Sequence, residues 1–346
     1  MNAVVLEDKA LISNREMPQP VPGPGQVLLQ VKAVSICGSD ISRYVKGHRT
    51  YPMIMGHECS GVVASVGEGV DEQLVGRRAA LIPLIPCFHC EQCLLGHYSA
   101  CHNYSFLGSR QAGGFADYVE MPARNLLFIP DEVTFEAAAL IEPATVARHI
   151  LALGNFHAGQ TAVVFGAGSI GLMLVQWLHI LGASLIICVD IVDENLEVAR
   201  ELGAHVTLNA RNVDVPEEVK KLAGDGVDLA LEAAGAPQTL AQTIQVTRPR
   251  GAVVCAGNQP LDATLPMTFI ENMMRKELQI NGCFMSYSAP FPGLEWTESL
   301  EAVVNGGLNM EAMVSHRFAL SEAPGVFESI RKHTMSHRKI IFYPGN

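Results

Sequence analysis

Cys87, Cys90, Cys93 and Cys101 follow one another as C-x-x-C-x-x-C-x7-C and draw four of the chain's nine cysteines into one short stretch. Four thiolates on a compact loop complete the tetrahedron of a zinc ion and leave no position for water or substrate, so the spacing predicts a closed, structural site. A redox C-x-x-C does not need four cysteines, an iron–sulfur cluster has no other support in the sequence, and a nucleic-acid zinc ribbon conflicts with an acidic chain. His89, His97 and His102 lie beside the loop and read as bystanders once four cysteines are present.

A second set of donors has the opposite character. Cys37 in SICGSD, His57 and Glu58 in MGHECSG, and Glu142 in LIEPATV mix sulfur, nitrogen and oxygen from distant segments. Three or four such ligands suit a catalytic zinc that keeps a position open. A third pattern, FGAGSIG, matches G-x-G-x-x-G at Gly166, Gly168 and Gly171. Glycines there permit a tight turn and let a pyrophosphate approach the backbone at a helix N-terminus. The next apolar run, SLIICVD, ends in Asp190, about twenty residues on. A carboxylate at that point accepts hydrogen bonds from ribose hydroxyls and repels a 2′-phosphate, and the following IVDEN offers no arginine. The expected cofactor is NAD, not NADP.

Elements of two kinds must position these residues. Up to about residue 147, short alternating runs such as GQVLLQVKAV and SGVVASVGEGV between Pro and Gly clusters predict small antiparallel sheets with long loops. From Thr161 the runs TAVVFG, SLIICVD, HVTLNA, VDLALEAAG, AVVCAG and LQINGCF alternate with amphipathic stretches, predicting six buried strands in a doubly wound parallel sheet. HRKIIFYP reads as a final strand. The expected division is a β-rich domain over 1–147, completed by 286–346, with a nucleotide-binding domain over 148–285 inserted.

The 346 residues are 49% hydrophobic and carry a formal charge of -11, enough for a sizeable core and unfavourable to a phosphate backbone. Nucleic acid is therefore not an expected partner. The start MNAVVLEDKALISNREMPQP lacks a basic segment followed by an apolar one, so no secretory signal is expected and the reducing cytosol is. Glycines, Gln176 and His179 divide the longest apolar region into strand, helix and strand, which argues against a membrane span.

CGSD, GHE, the four-cysteine loop, GGFADYV, IEP and GAGSIG occur in an order that resembles the zinc-dependent medium-chain alcohol dehydrogenase family over essentially the whole chain. The resemblance implies an α/β fold: a GroES-like β-rich catalytic domain plus a Rossmann domain, with the active site in the cleft between them. It also implies NAD, two zinc ions per subunit, one catalytic and one structural, and a homodimer. Segments such as FLGSRQAGGFADY and SHRF resemble a branch that oxidises sugar-alcohol phosphates to ketose phosphates. Dehydrogenases of unphosphorylated polyols such as sorbitol, or of L-threonine, share the fold and the zinc motifs. A non-catalytic NAD-binding relative is a further alternative, against which the intact donor set stands.

Carried over by position, Cys37, His57, Glu58 and Glu142 form the catalytic-zinc set, with the choice between Glu58 and Glu142 as direct ligand left open. Asp40 matches an acceptor that orients the zinc-binding histidine. Ser39 is the candidate first hydroxyl of a proton relay, whose next member is a histidine in many relatives and Ser42 here. Gly166, Gly168, Ser169, Ile170, Gly171 and Asp190 are the expected cofactor contacts, with Ala234, Gly257, Phe284 and Met285, the last two in the segment that meets nicotinamide in the family. Arg43, Lys46, His48 and Arg49 in SRYVKGHRT, with Arg110, are candidates for a substrate phosphate. Tyr287 is a candidate to face substrate, or a core tyrosine.

Overall fold

The computed structural model describes residues 1–257 and 267–345. The chain forms two units, one of Met1–Glu142, Tyr287–Val304 and Met310–Asn346, the other of Pro143–Ser286 and Asn305–Asn309.

The first unit is built around Gln26–Ser35, whose run of valine, leucine and alanine is buried along most of its length. It pairs antiparallel with Glu58–Val66, Tyr118–Pro122 and Lys339–Tyr343. The sheet continues through Arg78–Leu81 to Leu126–Phe128 on one side and to Val314–Ala319 on the other. Phe115 meets Phe327 and Phe342 edge-on in the core, with centroids 5.9 and 5.8 Å apart, and each such ring contributes about 1.5–3 kcal/mol by leaving water. Two register positions matter for function. Ser35 lies opposite Glu58 on one neighbour and Ile341 on the other, so the start of Lys339–Tyr343 and the start of Glu58–Val66 reach the same end of the sheet.

The second unit carries the doubly wound sheet expected from the alternation of apolar runs and helices. Its six parallel strands lie in the order Val206–Asn209, Leu185–Asp190, Thr161–Phe165, Val227–Glu232, Thr247–Cys255, Gln279–Gly282. In chain order this is 3-2-1-4-5-6, the dinucleotide-binding order, whose ligands sit outside the carboxyl ends of the strands. The expectation of six buried strands needs correction. Gln279–Gly282 is mostly exposed, with Ile280 at 38%, because among the described residues it has a neighbour on one side only. The long apolar region resolves as anticipated into strand Thr161–Phe165, helix Ser169–Ile180 and strand Leu185–Asp190. That helix is apolar nearly all round because it is buried nearly all round. Its Trp177 Nε1 donates to the Ala144 carbonyl at 3.0 Å. Among the described residues no helix is long and apolar enough to cross a membrane.

Candidate active site

Cys37 leaves the end of Gln26–Ser35 and forms the N-cap of helix Gly38–Lys46, its backbone N–H donating to Asp40 Oδ2 at 3.2 Å. His57 precedes Glu58–Val66, and Glu58 begins that strand opposite Ser35. The donor atoms of Cys37, His57 and Glu58 all lie within 4.8 Å of one another. The antiparallel register and the capped helix thus bring together three residues that the sequence keeps apart.

Asp40 is fully buried, and its Oδ1 stands 3.7 Å from His57 Nδ1, beyond hydrogen-bond range. His57 Nδ1 has no protein partner although buried. A buried polar atom left so costs about 1–3 kcal/mol. Arg43 Nη1 reaches back along its helix to Asp40 Oδ1 at 2.9 Å and Ser39 Oγ at 3.0 Å.

One residue of this centre has no place in the sequence motifs. Lys339 Nζ donates to both carboxylate oxygens of Glu58 at 2.6 Å, and Ser35 Oγ donates to the same carboxylate. Lys339 is 2% exposed and Glu58 1%. Burial works to protonate Glu58, but the Lys339 ammonium, with His57, holds its carboxyl below the ordinary value. Burial works to neutralise Lys339, and Glu58 raises it in return. The signal was present: a lysine heading KIIFY, an otherwise apolar strand, demands a buried counter-charge.

Glu142 sits in the first turn of helix Ile141–Leu153. Burial, with the charges of Glu58 and Cys37 adding to it and His57 opposing, pushes its carboxyl up to about 8. Burial and Glu58 likewise push the Cys37 thiol up to about 11. Glu142 and Cys37, which resist deprotonation beside the Glu58 carboxylate, are groups whose charge a dication relieves. One sulfur, one nitrogen and one carboxylate oxygen fit zinc by ligand type, and three protein donors leave a position for substrate.

The four-cysteine loop has closed geometry. Cys87 Sγ lies 3.9 Å from Cys93 Sγ, and Cys90 Sγ 3.9 Å from Cys101 Sγ. All four donor atoms lie within 4.8 Å of one another. Sulfurs at about 2.3 Å around a tetrahedral zinc stand about 3.8 Å apart, so the loop fits that ion. All four cysteines are free of disulfides. Phe88 and Tyr98 of this loop pack edge-on or nearly so against Phe291, at 5.3 and 5.4 Å, and Phe291 stacks on Tyr287.

In the second unit the three motif glycines serve different ends. Gly166 has φ +98, and a Cβ there would lie 2.8 Å from the Ala234 backbone. A Cβ on Gly171 would overlap the carbonyl oxygen of Gly166. A Cβ on Gly168 would meet no protein atom within 4 Å. The protein itself has no need of a glycine there, whereas a ligand approaching the backbone does. Ser169 and Ile170 form the first turn of the helix whose N-cap is Gly168. Asp190 accepts from Ala167 N at 2.5 Å, Ile191 N at 2.7 Å and Val192 N at 2.9 Å, which ties the end of its strand to the glycine turn. Gly257 lies against Glu232 and Gly235. Phe284 is 72% exposed, while Met285 is buried.

The substrate candidates are not gathered by contacts with one another. Arg43 is held by Asp40 and Ser39, and Lys46 is exposed. His48 Nδ1 lies 2.9 Å from the Thr50 carbonyl oxygen and 3.2 Å from Thr50 N, and Arg110 lies over the Tyr104 ring, 3.7 Å from its centroid. Tyr287 is 4% exposed, with its hydroxyl accepting the Leu84 N–H at 3.2 Å.

Comparison with known proteins accords with this geometry. Residues 23–131 match the alcohol dehydrogenase GroES-like domain, and residues 169–303 match the zinc-binding dehydrogenase model. The chain is 33% identical over 344 residues to galactitol 1-phosphate 5-dehydrogenase of Escherichia coli (strain K12), covering 99% of each. It is also 33% identical over 351 residues to sorbitol dehydrogenase of Bacillus subtilis (strain 168), covering 99% of this chain and 97% of that one. The crystal structure of galactitol-1-phosphate dehydrogenase from Escherichia coli aligns with a TM-score of 0.95 at 33% identity, covering 99% of this chain and 100% of the other.

Proposed function

The chain belongs to the zinc-dependent alcohol dehydrogenase family and is a polyol or alcohol dehydrogenase; from that premise we propose that it oxidises a secondary alcohol of a sugar-alcohol phosphate to a ketose phosphate, galactitol 1-phosphate to D-tagatose 6-phosphate, with NAD as oxidant. The observation that carries the catalytic reading is the convergence of Cys37, His57 and Glu58 donor atoms within 4.8 Å. Zinc held there supplies Lewis acidity toward the substrate hydroxyl. Glu142, whose carboxyl feels His57, Glu58 and Cys37, is not among the three converging donors and lines the same centre as a neighbouring acid. Ser39, fixed by Arg43, takes the proton outward from the alcohol. A second zinc in the Cys87, Cys90, Cys93 and Cys101 loop braces the fold.

Asp190 supports NAD, because a carboxylate at the end of the second strand of this topology accepts ribose hydroxyls and repels a 2′-phosphate. Among the described residues the edge strand Gln279–Gly282 pairs on one side only, which supports a homodimer formed through that edge. Nine free thiols support a reducing, cytosolic setting. A free polyol such as sorbitol is the second reading, favoured by the equal identity to a sorbitol dehydrogenase and by the engagement of Arg43 with Asp40 and Ser39.

The test is a substrate panel of galactitol 1-phosphate, galactitol, sorbitol and L-threonine with NAD and with NADP, run before chelation, after it, and after zinc is restored. The expected outcome is zinc-restorable turnover with kcat/KM for the phosphate ester at least about tenfold above the free polyols, one charge-assisted anchor's worth. Equal or better turnover of a free polyol overturns the phosphate assignment, and equal KM values for NAD and NADP overturn the role of Asp190.

A further inference from the structure

Glu232 ends strand Val227–Glu232 in the middle of the parallel sheet, in register with Phe165 on one neighbour and Cys255 on the other. It is 0% exposed. A carboxylate is among the least favourable groups to bury, and it persists in a core only where donors satisfy it. Its donors here come from the loop that follows it: Oε1 accepts the N–H of Ala234 at 3.1 Å, the N–H of Gly235 at 2.9 Å and the hydroxyl of Thr239 at 2.7 Å. Its backbone carbonyl accepts the N–H groups of Ala256 and Gly257, each at 2.9 Å.

The loop so held is the one that packs on the glycine turn. Ala234 is the residue whose backbone a Cβ on Gly166 would strike, and Ala233 N donates to the Phe165 carbonyl at 2.9 Å. Gly257 is excluded from carrying a side chain by the other oxygen of Glu232 and by Gly235 N. The turns at Ala234 and Gly257 therefore close on one carboxylate, and the turn at Gly166 packs on the first of them, at the carboxyl edge of the sheet where this topology places its ligand.

We propose that Glu232 is a positioning residue of the dinucleotide site: it clamps the loop after its own strand against the glycine turn and so sets the backbone that receives the cofactor, without touching the cofactor itself. This rests on the reading that the turn at Gly166, Gly168 and Gly171 takes the dinucleotide. Two donors that now meet a charged acceptor are backbone amides of that loop, so removing the acceptor loosens the cradle and not the metal centre.

The experiment compares wild-type holoenzyme with Glu232→Ala, Glu232→Gln and Thr239→Val by NADH fluorescence titration, steady-state kinetics and zinc content. Glu232→Ala is expected to raise the NADH Kd and the KM for NAD by about tenfold or more, the scale of one or two hydrogen bonds to a charged group. kcat at saturating NAD, the KM for the alcohol and the zinc content stay within about twofold. Glu232→Gln keeps an acceptor oxygen and restores most of the affinity, and Thr239→Val gives a smaller loss in the same direction, which carries the test if Glu232→Ala does not fold. Unchanged NADH affinity in Glu232→Ala, or in Thr239→Val should that variant stand alone, overturns the proposal. So does a fall in kcat with no change in the KM for NAD. A wild-type enzyme that does not bind NADH overturns the underlying reading of the glycine turn instead.

Discussion

Replacing Gly168 by alanine separates what the glycine turn does for the protein from what it does for a ligand. Gly168 has φ -75 and ψ -169, extended backbone that alanine adopts freely. An alanine N-cap is worse than glycine by about 1 kcal/mol, but the stiffer unfolded chain returns about 0.4–1 kcal/mol. With no protein atom within 4 Å of the new Cβ, the net change in stability is near zero. Gly171→Ala starts from the opposite prior, since alanine in a helix gains about 1 kcal/mol over glycine. There the methyl overlaps the Gly166 carbonyl oxygen, a backbone atom that cannot step aside cheaply, and overpacking costs about 1–3 kcal/mol or more. The expected order in urea unfolding is therefore wild type and Gly168→Ala together, Gly171→Ala below them. NADH titration should give the reverse emphasis for Gly168→Ala. A methyl between the helix N-terminus and a pyrophosphate removes one or two charge-assisted bonds of about 1.5–3 kcal/mol each, a loss of at least about tenfold in affinity. Wild-type NADH affinity in Gly168→Ala, or wild-type stability in Gly171→Ala, refutes the division of labour argued from the contacts.

Lys339→Met strips the counter-charge from a carboxylate 1% exposed and should destabilise the chelated protein by about 3–5 kcal/mol in urea unfolding. The deficit should shrink when zinc is restored, because a dication beside Glu58 replaces the lost cation; an equal deficit in both states counts against Glu58 as a zinc ligand. Cys37→Ser should lose one of two zinc ions by elemental analysis and lose turnover, while its melting temperature stays within a few degrees. Cys90→Ser should lose the other zinc and fall in melting temperature first, since metal binding to a closed site is folding free energy on the order of 10 kcal/mol; the reverse pattern exchanges the two roles.

What could be read from the chain beforehand follows from the range over which each determinant acts. The four-cysteine loop and the glycine turn are legible because their chemistry lies in consecutive text: the sulfur spacing and the strand, turn and helix are all local. Arg43 shows how a local signal can be read two ways. A basic residue near a reactive cysteine suggests a phosphate clamp, yet helical spacing already puts it beside Ser39 and Asp40, four and three positions back, where the structure has it. Ile280 illustrates a different limit: its strand, Gln279–Gly282, alternates polar and apolar letters, and its place at the end of the strand order leaves it mostly exposed.

The charged core is the hardest part to read, and Lys339 shows why. It lies 281 residues from Glu58, and no spacing rule reaches that far. Its place at the head of KIIFY states that a carboxylate must be buried somewhere near it. Only the sheet order, which lays Lys339–Tyr343 beside Gln26–Ser35 and that strand beside Glu58–Val66, says which carboxylate. Glu232 makes the complementary case, because its donors are local but its consequence is not. The bonds to Ala234, Gly235 and Thr239 are within seven residues, and their effect on Gly166 exists only because the parallel sheet sets the two strand ends side by side. A buried charge in this fold is thus a demand written locally and answered by topology, which is why both such residues lay outside the motifs and both sit beside the sites the motifs mark.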